Sequence, residues 1–172
     1  LDRPAKADPG CMAKTAIVET LAGFEAHCPD LYRSCLQHVQ MEPVFGGRVD
    51  TADHLRGVSA QALVQCLGAD GFADVLPVMV DAATAARRGA VRSLAAWGDR
   101  SAELLLRLFI LSRPGDEALA DAFAALLEVA PERSAAFVAM YLASPEVETA
   151  EAAALALGAS RAPDAFPHLR AY

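Results

Sequence analysis

The sequence predicts an all-α protein, an α-solenoid of about five antiparallel helix pairs, and three observations carry that expectation. Gly68, Gly98, Glu128 and Gly158 stand at a constant interval of 30 residues. Around them the sequence keeps phase: Ala60, Ala90, Ala120 and Ala150 lie eight positions before each anchor, and Leu67, Trp97, Leu127 and Leu157 lie one before. Composition agrees, with 38 Ala and only two Ile, Ile17 and Ile110, a balance that favours helix and offers little to strands.

Residues 1–10 hold Pro4, Pro9 and Gly10 and read as an extended lead-in to a single repeat domain over 11–172. Residues 11–23 place Ala16, Ile17, Leu21 and Ala22 at helical spacing. Pro29-Asp30 then opens a second helix through Leu31, Cys35, Leu36 and Val39, which completes a first, looser unit. From Gly23 to Gly68 the interval is 45, one repeat plus 15 residues. The excess falls at about 40–55, where Pro43, Gly46, Gly47 and Asp50-Thr51-Ala52-Asp53 give a composition for turns. Loops of that length are often functional.

Four regular units follow as helix–turn–helix, at about 56–67 with 72–83, 85–97 with 101–112, 116–129 with 132–143, and 146–157 with 162–171. In each first helix, offsets of minus eight, minus four and minus one from the anchor are apolar, one face of a helix. The second helices carry Val75, Leu76, Met79 and Val80; Leu105, Leu106, Phe109 and Ile110; Ala135, Ala136, Ala139 and Met140; and Ala165, Phe166 and Leu169. Arg170 then replaces the last apolar position, as suits a terminal unit. Ser144 and Asp116 are placed to cap helices, Pro131-Glu132 and Pro163-Asp164 to start them, and Gly68, Gly98 and Gly158 to end them.

The segments ARRGAVRSLAAWGDRSAELLLRLFIL and TAEAAALALGASRAPDAFPHLR resemble the HEAT-like repeat family, in its short bacterial form. The likeness covers about 56–172 well and 11–39 loosely, and departs at Glu128, where Val129-Ala130-Pro131 stands in place of a glycine turn. The resemblance implies a right-handed stack of helix pairs and a role in scaffolding and partner binding. A minority of the family acts on chromophores or alkylated DNA bases, but no catalytic motif of theirs maps onto a residue here.

The net charge of −7 argues against a broad phosphate-binding surface, and the terminus lacks a basic-then-apolar leader. No uninterrupted apolar run approaches the roughly 20 residues of a membrane span, so a soluble, cytoplasmic chain is expected. The four cysteines form no C-x-x-C pair or disulfide framework. His27, Cys28, Cys35 and His38 are all residue types that bind zinc, yet Cys35 shares an apolar stripe with Leu31 and Val39 and reads as a small core residue, so no metal is assigned.

Two places nominate partner-binding side chains. The insertion crowds His38, Gln40, Glu42, Arg48, Asp50, Asp53, His54 and Arg56 around two glycines, either as a recognition loop or as a locally paired one. Residues 85–113 carry six arginines against Asp99 and Glu103, between two acidic flanks. Arg88 and Arg92, one turn apart, form either a docking point for an acidic partner or a set of local ion pairs.

No G-x-S-x-G, H-E-x-x-H or P-loop occurs, so no catalytic residue or cofactor is assigned. Trp97 and Phe109 read as packing residues. The expected function is therefore a non-enzymatic scaffold or adaptor that binds another protein. The alternatives are a helper subunit or small-ligand binder using the 40–56 loop, and less so nucleic-acid binding through the arginine-rich unit.

Overall fold

The computed structural model describes residues 5–172, and these are mostly helical, with one two-stranded sheet. Their contacts group into two compact units, one ending at Ala96 and one spanning Trp97–Tyr172.

In the first unit, two short 3-10 turns at Ala5–Ala7 and Pro9–Cys11 replace the extended lead-in expected there; residues 1–4 of that lead-in lie outside the described residues. Asp8 explains the difference. Its carboxylate accepts the amides of Ala13 at 2.7 Å and Lys14 at 3.1 Å, so it serves the unpaired donors at the start of α1 (Met12–Gly23) and folds the lead-in back onto that helix. Next come α2 (Pro29–Leu36), β1 (Met41–Val44), β2 (Gly47–Asp50), α3 (Asp53–Leu67), α4 (Phe72–Met79) and α5 (Thr84–Trp97).

Helix α3 is the centre of this unit and packs against α1, α2 and α4. Val18, Tyr32, Leu55, Leu63, Val64 and Val75 are all buried. The stretch Asp53–Met79 is long and apolar enough to cross a membrane by length and composition, although charged and polar side chains interrupt its apolar run. Half of its most apolar window is buried inside the protein, and Gly68, at φ 62° and ψ −142°, breaks it into α3 and α4. Helix α4 stops at Met79, short of the expected 83. Pro77 withdraws a backbone donor, and Asp81 turns its carboxylate to the Ala83 amide at 2.8 Å.

The second unit contains α6 (Arg100–Ser112), α7 (Leu119–Val129), α8 (Pro131–Ala139) with a 3-10 extension through Ala143, α9 (Val147–Ser160) and α10 (Ala165–Ala171). Helix α7 packs against α6, α8 and α9, and Phe123 is fully buried with its ring 4.9 Å from that of Tyr141. Asp99 caps α6 by accepting the Ala102 amide at 2.9 Å. Pro131 starts α8 as expected. Neither Ser144 nor Asp116 is the N-cap of the helix that follows it, a place taken by Glu146 and Ala118: Ser144 Oγ accepts from the Glu146 amide and Asp116 Oδ1 from the Ala118 amide, each within the turn before the helix.

The 30-residue beat survives in the helix positions but not in which face is buried. Ala60 and Ala90 are buried, whereas Ala120 is exposed and Ala150 half-buried; Leu119 and Thr149, one residue earlier, take the interior positions. A one-residue shift rotates a helix face by about 100°. Within α7 and α9 the buried stripe therefore begins one residue earlier in the 30-residue interval than it does within α3 and α5.

Second-helix columns are similarly mixed: Val75, Met79, Leu106, Phe109, Ile110 and Ala135 are buried, while Leu76, Val80, Met140 and Phe166 are exposed. Trp97, expected in a core column, is 49 % exposed. Gly158 lies inside α9 rather than ending it, and Arg161 takes the left-handed conformation at φ 51° instead.

Candidate functional site

The 40–55 insertion forms a β-hairpin where turn composition alone was expected. Met41 pairs with Asp50, Glu42 with Val49, Pro43 with Arg48 and Val44 with Gly47. Phe45-Gly46 makes the two-residue reversal, and Gly46 sits at φ 87°, where a side chain would be strained. An isolated two-stranded hairpin is marginally stable in water. Here the base is held by two polar networks.

The first centres on Arg56, which is 5 % exposed. Its guanidinium makes a two-pronged pair with Asp81 at 2.7 and 3.1 Å, donates to Asp50 at 2.6 Å, and donates to the His38 carbonyl at 2.9 Å. The other oxygen of Asp50 accepts the amides of Gln40 and Ala52 at 2.9 and 3.0 Å. Burial pushes the Asp50 carboxyl upward, but the two amides and the guanidinium outweigh it and hold the group below its ordinary range.

The second network centres on buried Gln40. Its side-chain oxygen accepts from Lys14 Nζ at 2.7 Å, and its nitrogen donates to the Asp8 carbonyl at 2.8 Å and to Glu42 at 2.7 Å. Glu42 also accepts from the Gly10 amide at 2.7 Å and Thr51 Oγ1 at 2.8 Å; the Gln40 and Thr51 bonds are the main reasons its carboxyl lies below the usual value. Burial, helped by the nearby Lys14 charge, pushes the His38 imidazole below its ordinary value, and its Nε2 is buried without a hydrogen-bond partner.

Thus Gln40, Glu42, Asp50 and Arg56, nominated as recognition residues, point into the brace beneath the hairpin. Arg48 is exposed on β2 and donates to the Met41 carbonyl at 2.8 Å. His54 is exposed beside Glu19, at 3.5 Å. Arg88 and Arg92 are exposed on α5, one turn apart, and each takes part in polar or electrostatic contacts. Neighbouring arginines of that run are spent locally: Arg87 donates to the carbonyls of Asp81 and Ala82, and Arg100 and Arg107 hold Glu103.

What residue-type reasoning passed over is apolar. Val39, Met41, Val44, Phe45 and Val49 are exposed on or beside the hairpin, and Phe45 at its tip reaches 109 % relative exposure. Its sequence signal is a large aromatic followed by a glycine pair, Phe45-Gly46-Gly47, set among charged residues. The zinc-type residues do not assemble: Cys35 is buried in the core, His27 turns toward Cys66, and among the described residues no three His, Cys, Asp or Glu side chains converge.

The chain matches no known protein family, no curated protein and no solved structure.

Proposed function

We propose that the chain is a non-enzymatic adaptor, a HEAT-like α-solenoid that binds another protein through its β-hairpin. The observation that carries this reading is the combination of a heavily braced hairpin base with a solvent-exposed apolar tip at Phe45. A large aromatic held out by a rigid support is the kind of anchor that fills a pocket on a partner at low entropic cost. Val44, Val49 and Met41 widen the apolar surface, and exposed Arg48 adds a cation at its edge.

The regular helix pairs support the scaffold part of the reading, since stacked repeats present extended surfaces. The small-ligand alternative required polar groups of His38, Glu42 and Arg56 to converge on a pocket. Glu42 and Arg56 are instead used within the fold, and the unpaired His38 Nε2 is buried.

The test is affinity capture from native extract with the intact chain, Phe45→Asp, and a control change at another exposed aromatic, Phe166→Asp. A protein retained by the intact chain and the control but lost with Phe45→Asp supports the assignment. Equal retention by all three removes the hairpin, and no retained protein with the intact chain removes the adaptor reading itself.

A further inference from the structure

We propose that Cys66 and His27 form a reactive-thiol site at which the Cys66 sulfur is oxidised by a small hydroperoxide and then capped by a low-molecular-weight thiol. The two residues are 39 apart in sequence, yet Cys66 Sγ lies 3.0 Å from His27 Nδ1. They share the wall of a cavity of about 320 Å³ with Glu25, Tyr32 and Gln65. That volume falls in the lower part of the range used by small-ligand pockets, about 300–1,000 Å³.

Both members of the pair are held by ordered elements. Cys66 is in the last turn of α3, the central helix of its unit. His27 follows a helix-ending turn in which the Ala26 amide donates to the Leu21 carbonyl and the Glu25 amide to the Ala22 carbonyl, both at 2.9 Å. This is a Schellman motif, with Glu25 in the left-handed position at φ 55°, where glycine is usual. The Tyr32 hydroxyl then donates to the Ala26 carbonyl at 2.8 Å and pins the residue next to His27.

The other cysteines set the contrast. Cys11 and Cys35 are buried, and burial pushes both thiols upward, toward the unreactive protonated form. Cys28 is half-buried, as Cys66 is, but Cys66 is the one with an imidazole at hydrogen-bond distance. A neighbouring imidazole can take the thiol proton and leave a thiolate beside an imidazolium, the arrangement that activates a sulfur nucleophile.

The oxidation balances with the groups present and the oxidant named. The thiolate attacks one oxygen of the hydroperoxide, an S–O bond forms and the O–O bond breaks. The departing alkoxide or hydroxide takes the proton from His27 and leaves as alcohol or water. Sulfur loses two electrons, the peroxide gains them, and Cys66 becomes a sulfenic acid. A small thiol then attacks that sulfur, its proton and the sulfenic hydroxyl leave as water, and a mixed disulfide remains. The oxidation step needs a thiol with a base in reach, a group to return the proton to the leaving oxygen, and room for a small molecule; His27 at 3.0 Å from Cys66 meets the first two needs and the cavity beside them the third.

The test uses the full chain, iodoacetamide alkylation resolved for each cysteine by peptide mass spectrometry, and trapping of sulfenic acid with dimedone after hydrogen peroxide. Cys66 should alkylate about ten-fold or more faster than Cys28 at neutral pH, and dimedone should mark Cys66. His27→Gln should reduce both signals, while slow labelling of buried Cys11 and Cys35 reports that the variant is folded. Added glutathione should convert peroxide-treated Cys66 to a mixed disulfide. The proposal is overturned by Cys66 alkylating no faster than Cys28 in the unmodified chain, by an absence of dimedone adduct, or by a folded His27→Gln variant that reacts as the unmodified chain does.

Discussion

Gly57 on α3 and Gly89 on α5 meet backbone to backbone: a Cβ on Gly57 would lie 2.7 Å from the Ala85 carbonyl oxygen, and one on Gly89 would overlap the Gly57 backbone. A mid-helix glycine costs roughly 1 kcal/mol relative to alanine. The crossing requires that cost twice, since no side chain fits between the helices. Gly89→Ala should therefore destabilise the protein despite its better helix propensity, by at least about 2 kcal/mol, and lower Tm by about 5 °C or more in a thermal melt. An unchanged or raised Tm would show that the helices separate freely.

Arg56 ties the hairpin base to the turn after α4 through Asp50 and Asp81. Removing one partner of a buried ionic cluster leaves charges without compensation, at a typical cost of about 3 kcal/mol. Arg56→Ala should lower stability by that order and accelerate amide exchange across β1 and β2. Arg56→Lys should recover little, because an ammonium cannot reproduce the forked contacts to Asp81. Hairpin exchange unchanged in Arg56→Ala would place the brace elsewhere.

Phe45 separates function from stability. Its side chain is fully exposed, so Phe45→Ala should leave Tm within about 1–2 °C, equivalent to roughly 0.5 kcal/mol. Loss of the melt transition in that variant would mean the tip packs against the protein.

Glu103 is 2 % exposed and surrounded by the guanidinium groups of Arg133 at 2.8 Å, Arg100 at 2.7 Å and Arg107 at 3.1 Å. The Arg133 bonds first, against burial and with help from Arg100 and Arg107, bring its carboxyl down to about 2. A carboxyl depressed in the folded state contributes stability that is complete above its unfolded value and disappears as pH falls through the folded one. The expected window runs from about 4.5 down to about 2. Because Arg100 and Arg133 reach solvent, their pairing is screened, and the contribution is on the order of 2 kcal/mol. Glu103→Gln should lower stability at pH 7 by that order and flatten the acid limb of the unfolding curve; an unaltered acid limb would assign it to other carboxylates.

Helix positions were legible because alanine content and 30-residue spacing act locally, through propensity and periodicity. The buried face was less so. Alanine fits interior and surface alike, so Ala60 and Ala120 look equivalent in sequence although one is buried and the other exposed. The hairpin was hidden because its stability comes from long-range partners, with Lys14 and Gln40 separated by 26 residues and Arg56 and Asp81 by 25. Spacing cannot reveal such pairs. The same holds for Cys66 and His27, whose residue types were visible but whose meeting depends on how α3 packs beside the end of α1.

The anchor glycines supply a last prediction, because one sequence column contains two physical situations. Gly68 ends α3 at φ 62° and Gly98 follows α5 at φ 69°, positive-φ backbone that costs a side chain about 1–3 kcal/mol. Gly158 lies within α9 without a positive φ, and a Cβ there meets nothing within 4 Å. Alanine should therefore destabilise at 68 and 98 by about 1 kcal/mol or more, yet stabilise at 158 by about 0.5–1 kcal/mol, through helix propensity and the smaller entropy of the unfolded chain. Denaturant melts of the three single variants give the comparison directly. Three shifts of the same sign would mean that the glycines play one structural role after all, with α9 ending at Gly158 as its sequence column suggests.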